Sequence, residues 1–307
     1  MNSAGKTVIV VNRHAGTVRS MGEEAVRALI TKAMGDTVEA SFHDGDTIER
    51  HIRDMLRREA PERLIVGGGD GTIASAAALV AGTDTALGIL PLGTMNMMAQ
   101  TVGLAGDLVA ALAQLAEAEP RIVDVGRANG RLFLHHVSFG LQPRMVRIRE
   151  RLGYSSRLTK MIAAVRASLA VLLDPQVRRL GLGVDGTQVE LRTPALIVSN
   201  NIYENAMMLK QARLDEGILG VYALRPMALP SYLGLAFDLL RGRWRDNMNV
   251  RELRGRKVEV RRRLRFGRES RSIKATLDGE LALFDLPLVI ASDPAALRLL
   301  VPRAAAA

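Results

Sequence analysis

A chain of 307 residues with 48% hydrophobic content and a formal net charge of +10 has room for roughly two domains with real cores and favours an anionic partner. It has no cysteine, which excludes disulfide staples and thiolate chemistry. Met1 to Lys6 holds no apolar leader segment, and no uninterrupted apolar run reaches the ~18 residues a membrane span needs. The expectation is a cytoplasmic protein that associates with membranes only peripherally.

Strands and helices alternate through the first third. Thr7–Val11 predicts a strand, Met21–Met34 a helix, Val38–His43 a strand, Thr47–Glu59 a helix and Arg63–Val66 a strand. A helix from Thr72, a strand over Ala86–Leu90 and helices over Asn96–Val102 and Asp107–Glu117 follow. Such alternation implies an α/β, Rossmann-like nucleotide-binding domain with a parallel sheet, here placed at 1–121. Ligands on these sheets gather at the carboxyl ends of the strands, where Asn12–Gly16, Ser41–Asp46, Gly67–Thr72 and Pro91–Asn96 fall.

The richest of those loops is Val66-Gly67-Gly68-Gly69-Asp70-Gly71-Thr72. Successive glycines let backbone approach a ligand with no Cβ in the way, and the following helix aims free N–H groups at an anion. Asp70 adds a carboxylate suited to a metal. The loop lacks the G-x-G-x-x-G spacing of a dinucleotide fingerprint, and Gly5-Lys6-Thr7 lacks the upstream glycine of a Walker A loop. An unliganded strand-to-helix turn is the alternative, but three glycines and an acid exceed what that turn needs.

Past residue 120 strands and tight turns take over. Val123–Ala128, Asn129-Gly130 and Arg131–Phe139 read as a hairpin, and Leu180–Val184, Asp185-Gly186 and Thr187–Leu191 repeat it. Further strands are expected at Ala195–Ser199, Leu219–Leu224, Lys257–Val260, Ile273–Leu277 and Leu288–Ala291, with one amphipathic helix over Arg157–Leu173 broken by Arg166. These imply a C-terminal β-sandwich domain over 122–290, with 291–307 returning to the first domain and Ala304–Ala307 a frayed tail. His135-His136 in a strand would point to opposite faces, one buried and one exposed, and form no metal pair. Met95, Met97, Met98, Met207 and Met208 read as core gap-fillers ahead of a lipid entrance.

Arginine is dense between Arg241 and Arg271. An anionic membrane would suit that run. Nucleic acid is not expected, since only Trp244 and Phe266 are available for stacking there. A plain solvated basic face is the alternative, and a homo-oligomer is compatible with all of this.

Four blocks together carry a resemblance: Val66 to Thr72; Leu90-Pro91-Leu92-Gly93-Thr94-Met95-Asn96; Arg213-Leu214-Asp215-Glu216-Gly217-Ile218-Leu219; and Leu277-Asp278-Gly279-Glu280. In order and spacing they resemble the diacylglycerol kinase catalytic family, particularly its bacterial soluble lipid kinases. The resemblance implies ATP- and Mg2+-dependent transfer of the γ-phosphate to a lipid hydroxyl, in a cleft between an α/β domain and a β-sandwich domain.

It also implies roles. Asn12 and Gly16 match the family's first loop, with Arg13 where many members have proline, and Ser41 matches a hydroxyl that touches the nucleotide. Gly67, Gly68, Gly69, Asp70, Gly71 and Thr72 would wrap the phosphates, Thr94 would add a hydroxyl, and Asp70 would face the magnesium or the transferred group. The aspartate-glutamate-glycine block would bind a structural metal through Asp215, Glu216 and the carbonyls of Arg213 and Ile218, with Glu216 standing where a second aspartate is usual. Asp278 and Glu280 are the candidate bases for the lipid hydroxyl. They share a side if the segment is extended, and only one serves if Asp278-Gly279 makes a hairpin turn. A kinase for a soluble acceptor such as NAD, and a nucleotide-binding regulatory protein without turnover, are the competing readings.

Overall fold

The computed structural model describes residues 6–35, 38–58, 60–152, 175–206, 209–263 and 269–303. The expected helix over Arg157–Leu173, Met207, Met208, Phe266 and the Ala304–Ala307 tail lie outside the described residues, as do Arg265 and Arg268 of the basic run. The chain divides into two compact units: the described residues up to Val125 with those from Pro294 onward, and Gly126–Asp293.

The first unit is the expected parallel α/β fold. Strands β1 (Thr7–Asn12), β2 (Glu39–His43), β3 (Arg63–Gly68) and β4 (Ala86–Pro91) lie in the order β2-β1-β3-β4, all parallel. Continuous apolar runs such as Ile9–Val11 and Leu64–Val66 are fully buried, because a parallel sheet is covered on both faces. Around it stand α1 (Gly16–Met21), α2 (Glu23–Met34), α3 (Ile48–Arg58), α4 (Asp70–Val80), α5 (Met97–Thr101) and α6 (Leu108–Ala116). The helix expected near Met21–Met34 is α2, and the short α1 ahead of it was not expected. Gly22, at φ +89°, ends α1 with its N–H on the Val18 carbonyl and starts α2, a conformation that glycine adopts without strain. Asp107 caps α6, its carboxylate accepting the N–H groups of Val109 and Ala110.

The second unit is a β-sandwich. β5 (Glu119–Ala128) enters it and turns at Asn129-Gly130, both at positive φ, into β6 (Arg131–Phe133). One layer contains β8 (Arg178–Val184), β9 (Thr187–Thr193), β13 (Lys257–Arg263) and the first half of β16 (Leu288–Val301). The other has the order β12-β11-β10-β7-β14-β15: β12 (Val250–Gly255), β11 (Leu219–Leu224), β10 (Ala195–Asn200), β7 (His136–Gly140), β14 (Ser272–Leu277) and β15 (Glu280–Asp285). Inward residues of both layers, among them Phe139, Leu182, Val198, Val260, Ile273 and Ile290, form one core. β16 continues into the first unit, where Leu299 pairs with Leu87 of β4.

Two helices of this unit were not expected: α7 (Leu141–Leu152) and α8 (Leu229–Leu240). The expected strand Arg131–Phe139 is interrupted at Leu134-His135.

Candidate active site

In the first unit the strand-end loops are tied to one another by named contacts. Asn12 donates from Nδ2 to Thr72 Oγ1 at 3.1 Å, joining the loop after β1 to the start of α4. Its Oδ1 accepts the His14 N–H at 2.9 Å. Arg13 N–H donates to the His43 carbonyl at 2.9 Å and its guanidinium to the Phe42 carbonyl, so this arginine anchors its loop to the end of β2. Beside Gly16, Thr17 N–H donates to the Leu92 carbonyl at 3.2 Å.

None of Gly67, Gly68, Gly69 and Gly71 has positive φ, and it is close approach that requires glycine at Gly67 and Gly68. A Cβ on Gly67 would stand 2.8 Å from Leu92 Cδ1, and one on Gly68 would stand 2.6 Å from Thr72 Cβ. A Cβ on Gly93 would stand 2.5 Å from the Gly69 Cα, so the two loops touch backbone to backbone. The helix begins at Asp70, two residues ahead of the expected Thr72, and Gly69 gives its N-terminus no side-chain cap. The leading N–H groups of α4 therefore present the partial positive charge that attracts an anion.

Asp70 has a second task. Its Oδ1 accepts the Met97 N–H at 2.7 Å, fastening α5 to α4. Burial raises its pKa above the usual carboxylate range, and the Met97 and Asn96 amides oppose that shift. Asn96, at φ +48°, clamps the neighbouring loop by accepting the Gly93 N–H at 2.9 Å and donating to the Gly93 carbonyl at 3.0 Å. This clamp was not singled out from sequence, although an asparagine three residues after a glycine is the available signal. Thr94 is exposed, and Ser41 Oγ is buried without a hydrogen-bond partner among the described residues. A Cβ-free cradle, an uncapped helix N-terminus and these hydroxyls fit the phosphates of a nucleotide.

In the second unit Asp278 and Glu280 separate. Asp278-Gly279 is a hairpin turn, at φ +48° and +91°, between β14 and β15. Asp278 is buried, and its carboxylate accepts the N–H groups of Leu134 at 2.7 Å, His135 at 2.8 Å and His136 at 2.9 Å. Glu280 is exposed. The extended arrangement that would put both side chains on one side is not present.

That same carboxylate corrects the expectation for the histidines. Because it gathers three successive N–H groups, the chain bends at Leu134-His135, and both rings are buried with their Nδ1 atoms 2.8 Å apart. Tyr203 OH lies 3.2 and 3.1 Å from the two Nδ1 atoms, and His136 Nε2 lies 3.0 Å from Gln142 Oε1. Burial lowers the pKa of both rings, to about 4 for His136. No signal local to His135-His136 could show this, since the partner is more than a hundred residues away.

The aspartate-glutamate-glycine block is bound up in protein contacts. Arg213 Nε donates to Asp215 Oδ1 at 3.0 Å. Glu216 Oε2 accepts the Ile202 N–H at 3.2 Å, and Asn201 Oδ1 accepts the Glu216 N–H at 3.1 Å. Gly217 makes the turn at φ +65°, next to Ile218. Among the described residues no group of three or more histidine or acidic side chains is arranged to hold a metal. With a guanidinium on one carboxylate and an amide on the other, this block does not fit a cation as it stands.

Residues 6–128 match the diacylglycerol kinase catalytic domain, and residues 135–301 match the YegS C-terminal NAD kinase beta sandwich-like domain. The chain belongs to the diacylglycerol kinase catalytic-domain family. Within that family it is 30% identical over 217 residues, 67% of this chain and 69% of the relative, to a Pseudomonas aeruginosa protein named "Probable lipid kinase YegS-like". A Pseudomonas putida protein of the same name is 28% identical over 92% of this chain and 93% of its own. A solved structure of a diacylglycerol kinase from Bacillus anthracis shares the fold at TM-score 0.68 and 15% identity, covering 99% of this chain and 100% of its own. A second solved structure from that organism reaches TM-score 0.76 at 17% identity over 99% of both chains. The glycine-rich loop lies within the first matched region and Asp278-Gly279-Glu280 within the second.

Proposed function

We propose that this protein is a lipid kinase that transfers the γ-phosphate of ATP to a hydroxyl of a membrane lipid of diacylglycerol type. The observation that carries the reading is the cradle in which Gly69 and Gly93 meet in front of the uncapped N-terminus of α4, in a chain of this family.

Phosphoryl transfer asks a protein chiefly to position and neutralise charge. The N–H groups at the start of α4, the Asn12-Thr72 pair and Thr94 would hold the phosphates. Mg2+, when bound with the nucleotide, would neutralise charge on the phosphate oxygens, with Asp70 as the chain's hard oxygen donor beside them. Glu280 takes the proton from the attacking hydroxyl, because an exposed carboxylate can meet a substrate. Asp278, committed to three backbone N–H groups, holds the turn that carries Glu280. No step is assigned to the Asp215-Glu216 block.

The match to an NAD kinase beta sandwich-like domain keeps a soluble acceptor as the second reading. The test is transfer of radiolabelled γ-phosphate from ATP with magnesium to a panel of lipids in mixed micelles, with NAD in parallel. Label in a lipid supports the proposal. Label in NAD overturns the acceptor, and ATP binding without transfer moves a regulatory role to first place.

A further inference from the structure

Helix α8 of the second unit is apolar on two sides. Its inner side buries Tyr232 and sets Leu235 and Leu239 against Trp244 and Tyr222, around a cavity of about 180 Å3. Its outer side carries Leu229, Leu233, Phe237 and Leu240, at spacings of four, four and three residues, which is one face of a helix. Leu233 is 62% exposed, Phe237 52% and Leu240 67%, and Met248 just beyond the helix is 80% exposed. Four large apolar side chains in a single exposed stripe are unlike the scattered ones that any surface carries.

The charge at the end of this stripe is positive. Arg241 lays its guanidinium 4.0 Å from the centroid of the Phe237 ring, and Arg243 follows it, also exposed. Neither forms an ion pair among the described residues. The nearby acids have partners of their own: Asp238 accepts from Asn247 at 2.6 Å, Asp246 accepts from Asn205 at 3.2 Å, and Glu252 pairs with Arg245 and Arg254 at 2.8 Å. Arg241 and Arg243 stand outside these pairings and are exposed, so their guanidinium groups can meet an outside anion.

We propose that the outer face of α8 is a membrane-docking surface that lies in the interface of an anionic bilayer, with Leu229, Leu233, Phe237 and Leu240 among the acyl chains and Arg241 and Arg243 at the lipid phosphates. An apolar helical stripe with arginine at its edge is the chemistry of interfacial binding. A second copy of this chain is the competing occupant. Pairing the same face about a two-fold axis offers Arg241 and Arg243 only an apolar stripe with no acid in it, so charge complementarity favours the bilayer. The proposal deepens the lipid-kinase reading and rests on it for its purpose.

The test is co-sedimentation of the full chain with vesicles of phosphatidylcholine, and with vesicles of equal parts phosphatidylcholine and phosphatidylglycerol. It is run on wild type, the Leu233→Ser/Phe237→Ser variant and the Arg241→Gln/Arg243→Gln variant, with light scattering on each. Circular dichroism and thermal melts confirm that the variants are folded, since the stripe faces outward. The expected result is binding to the anionic vesicles alone, weakened by about tenfold or more in the apolar variant and by about fivefold per arginine removed. Variants that bind like wild type overturn the proposal. So does a wild type that ignores both vesicles, or one that is a dimer which the apolar variant converts to monomer without any vesicle binding. Binding is read without turnover, so docking without phosphate transfer defeats only the kinase reading, and transfer in micelles without docking defeats only this one.

Discussion

The backbone of Gly69 presses against Gly93 so closely that a Cβ on Gly93 would stand 2.5 Å from the Gly69 Cα and 2.8 Å from Asn96 Oδ1. Gly93→Ala must therefore push the two loops apart. A loss of about 1–3 kcal/mol of stability is expected, together with loss of ATP affinity. Gly106 meets nothing within 4 Å and has no positive φ, so Gly106→Ala should leave both unchanged within ~1 kcal/mol. Thermal melts with and without ATP check the pair.

Asp278 and Glu280 should behave as opposites. Asp278→Asn replaces an acceptor of three N–H groups with a group that also donates, and should cost about 1–3 kcal/mol for each N–H left without an acceptor. Glu280→Gln, on an exposed side chain, should keep stability within about 0.5 kcal/mol and lower transfer by roughly a hundredfold to ten-thousandfold. Denaturant titration beside kcat checks both. A stable and active Glu280→Gln variant would remove Glu280 from the mechanism.

The histidine pair predicts an acid-sensitive fold. Burial holds His136 near 4 and His135 well below its ordinary value, with Tyr203, Gln142 and the Asp278 carboxylate as the groups around them. An unfolded histidine takes its proton near 6.5, so below that pH the unfolded chain binds more protons and stability falls as pH drops. From His136 alone the loss should approach roughly 3 kcal/mol between pH 6.5 and about 4. Denaturant midpoints across this range, in wild type and His136→Gln, measure it.

Asn12→Ala removes both the donor to Thr72 and the acceptor for His14 N–H. It should cost about 1 kcal/mol of stability and raise the KM for ATP more than it lowers kcat, since the link orders the loop that would meet the phosphates.

Much of the first unit is legible in the sequence, because β1, β3 and β4 are apolar runs each followed by a glycine- or asparagine-bearing loop. The hairpins at Asn129-Gly130 and Asp185-Gly186 are legible because that turn chemistry is local. Helix α8 is not, since a segment apolar on both its buried and its exposed side has no polar face to mark its period. β12 is missed for the opposite reason, its residues Val250–Gly255 being half charged on a sheet edge. The bend at Leu134-His135 depends on Asp278, far along the chain, and no local pattern carries it. In the glycine-rich loop, sequence supplies the glycines but not their reason, which at Gly67 and Gly68 is close packing in place of unusual backbone angles.

The central claim is that ATP gives its terminal phosphate to a lipid hydroxyl. Phosphorus NMR of the full chain with ATP, magnesium and micellar diacylglycerol tests it most directly. The account predicts that ADP and a new phosphomonoester appear in equal amounts, and that both are lost in Glu280→Gln. ADP accompanied only by inorganic phosphate, or ATP that persists unchanged, would contradict it.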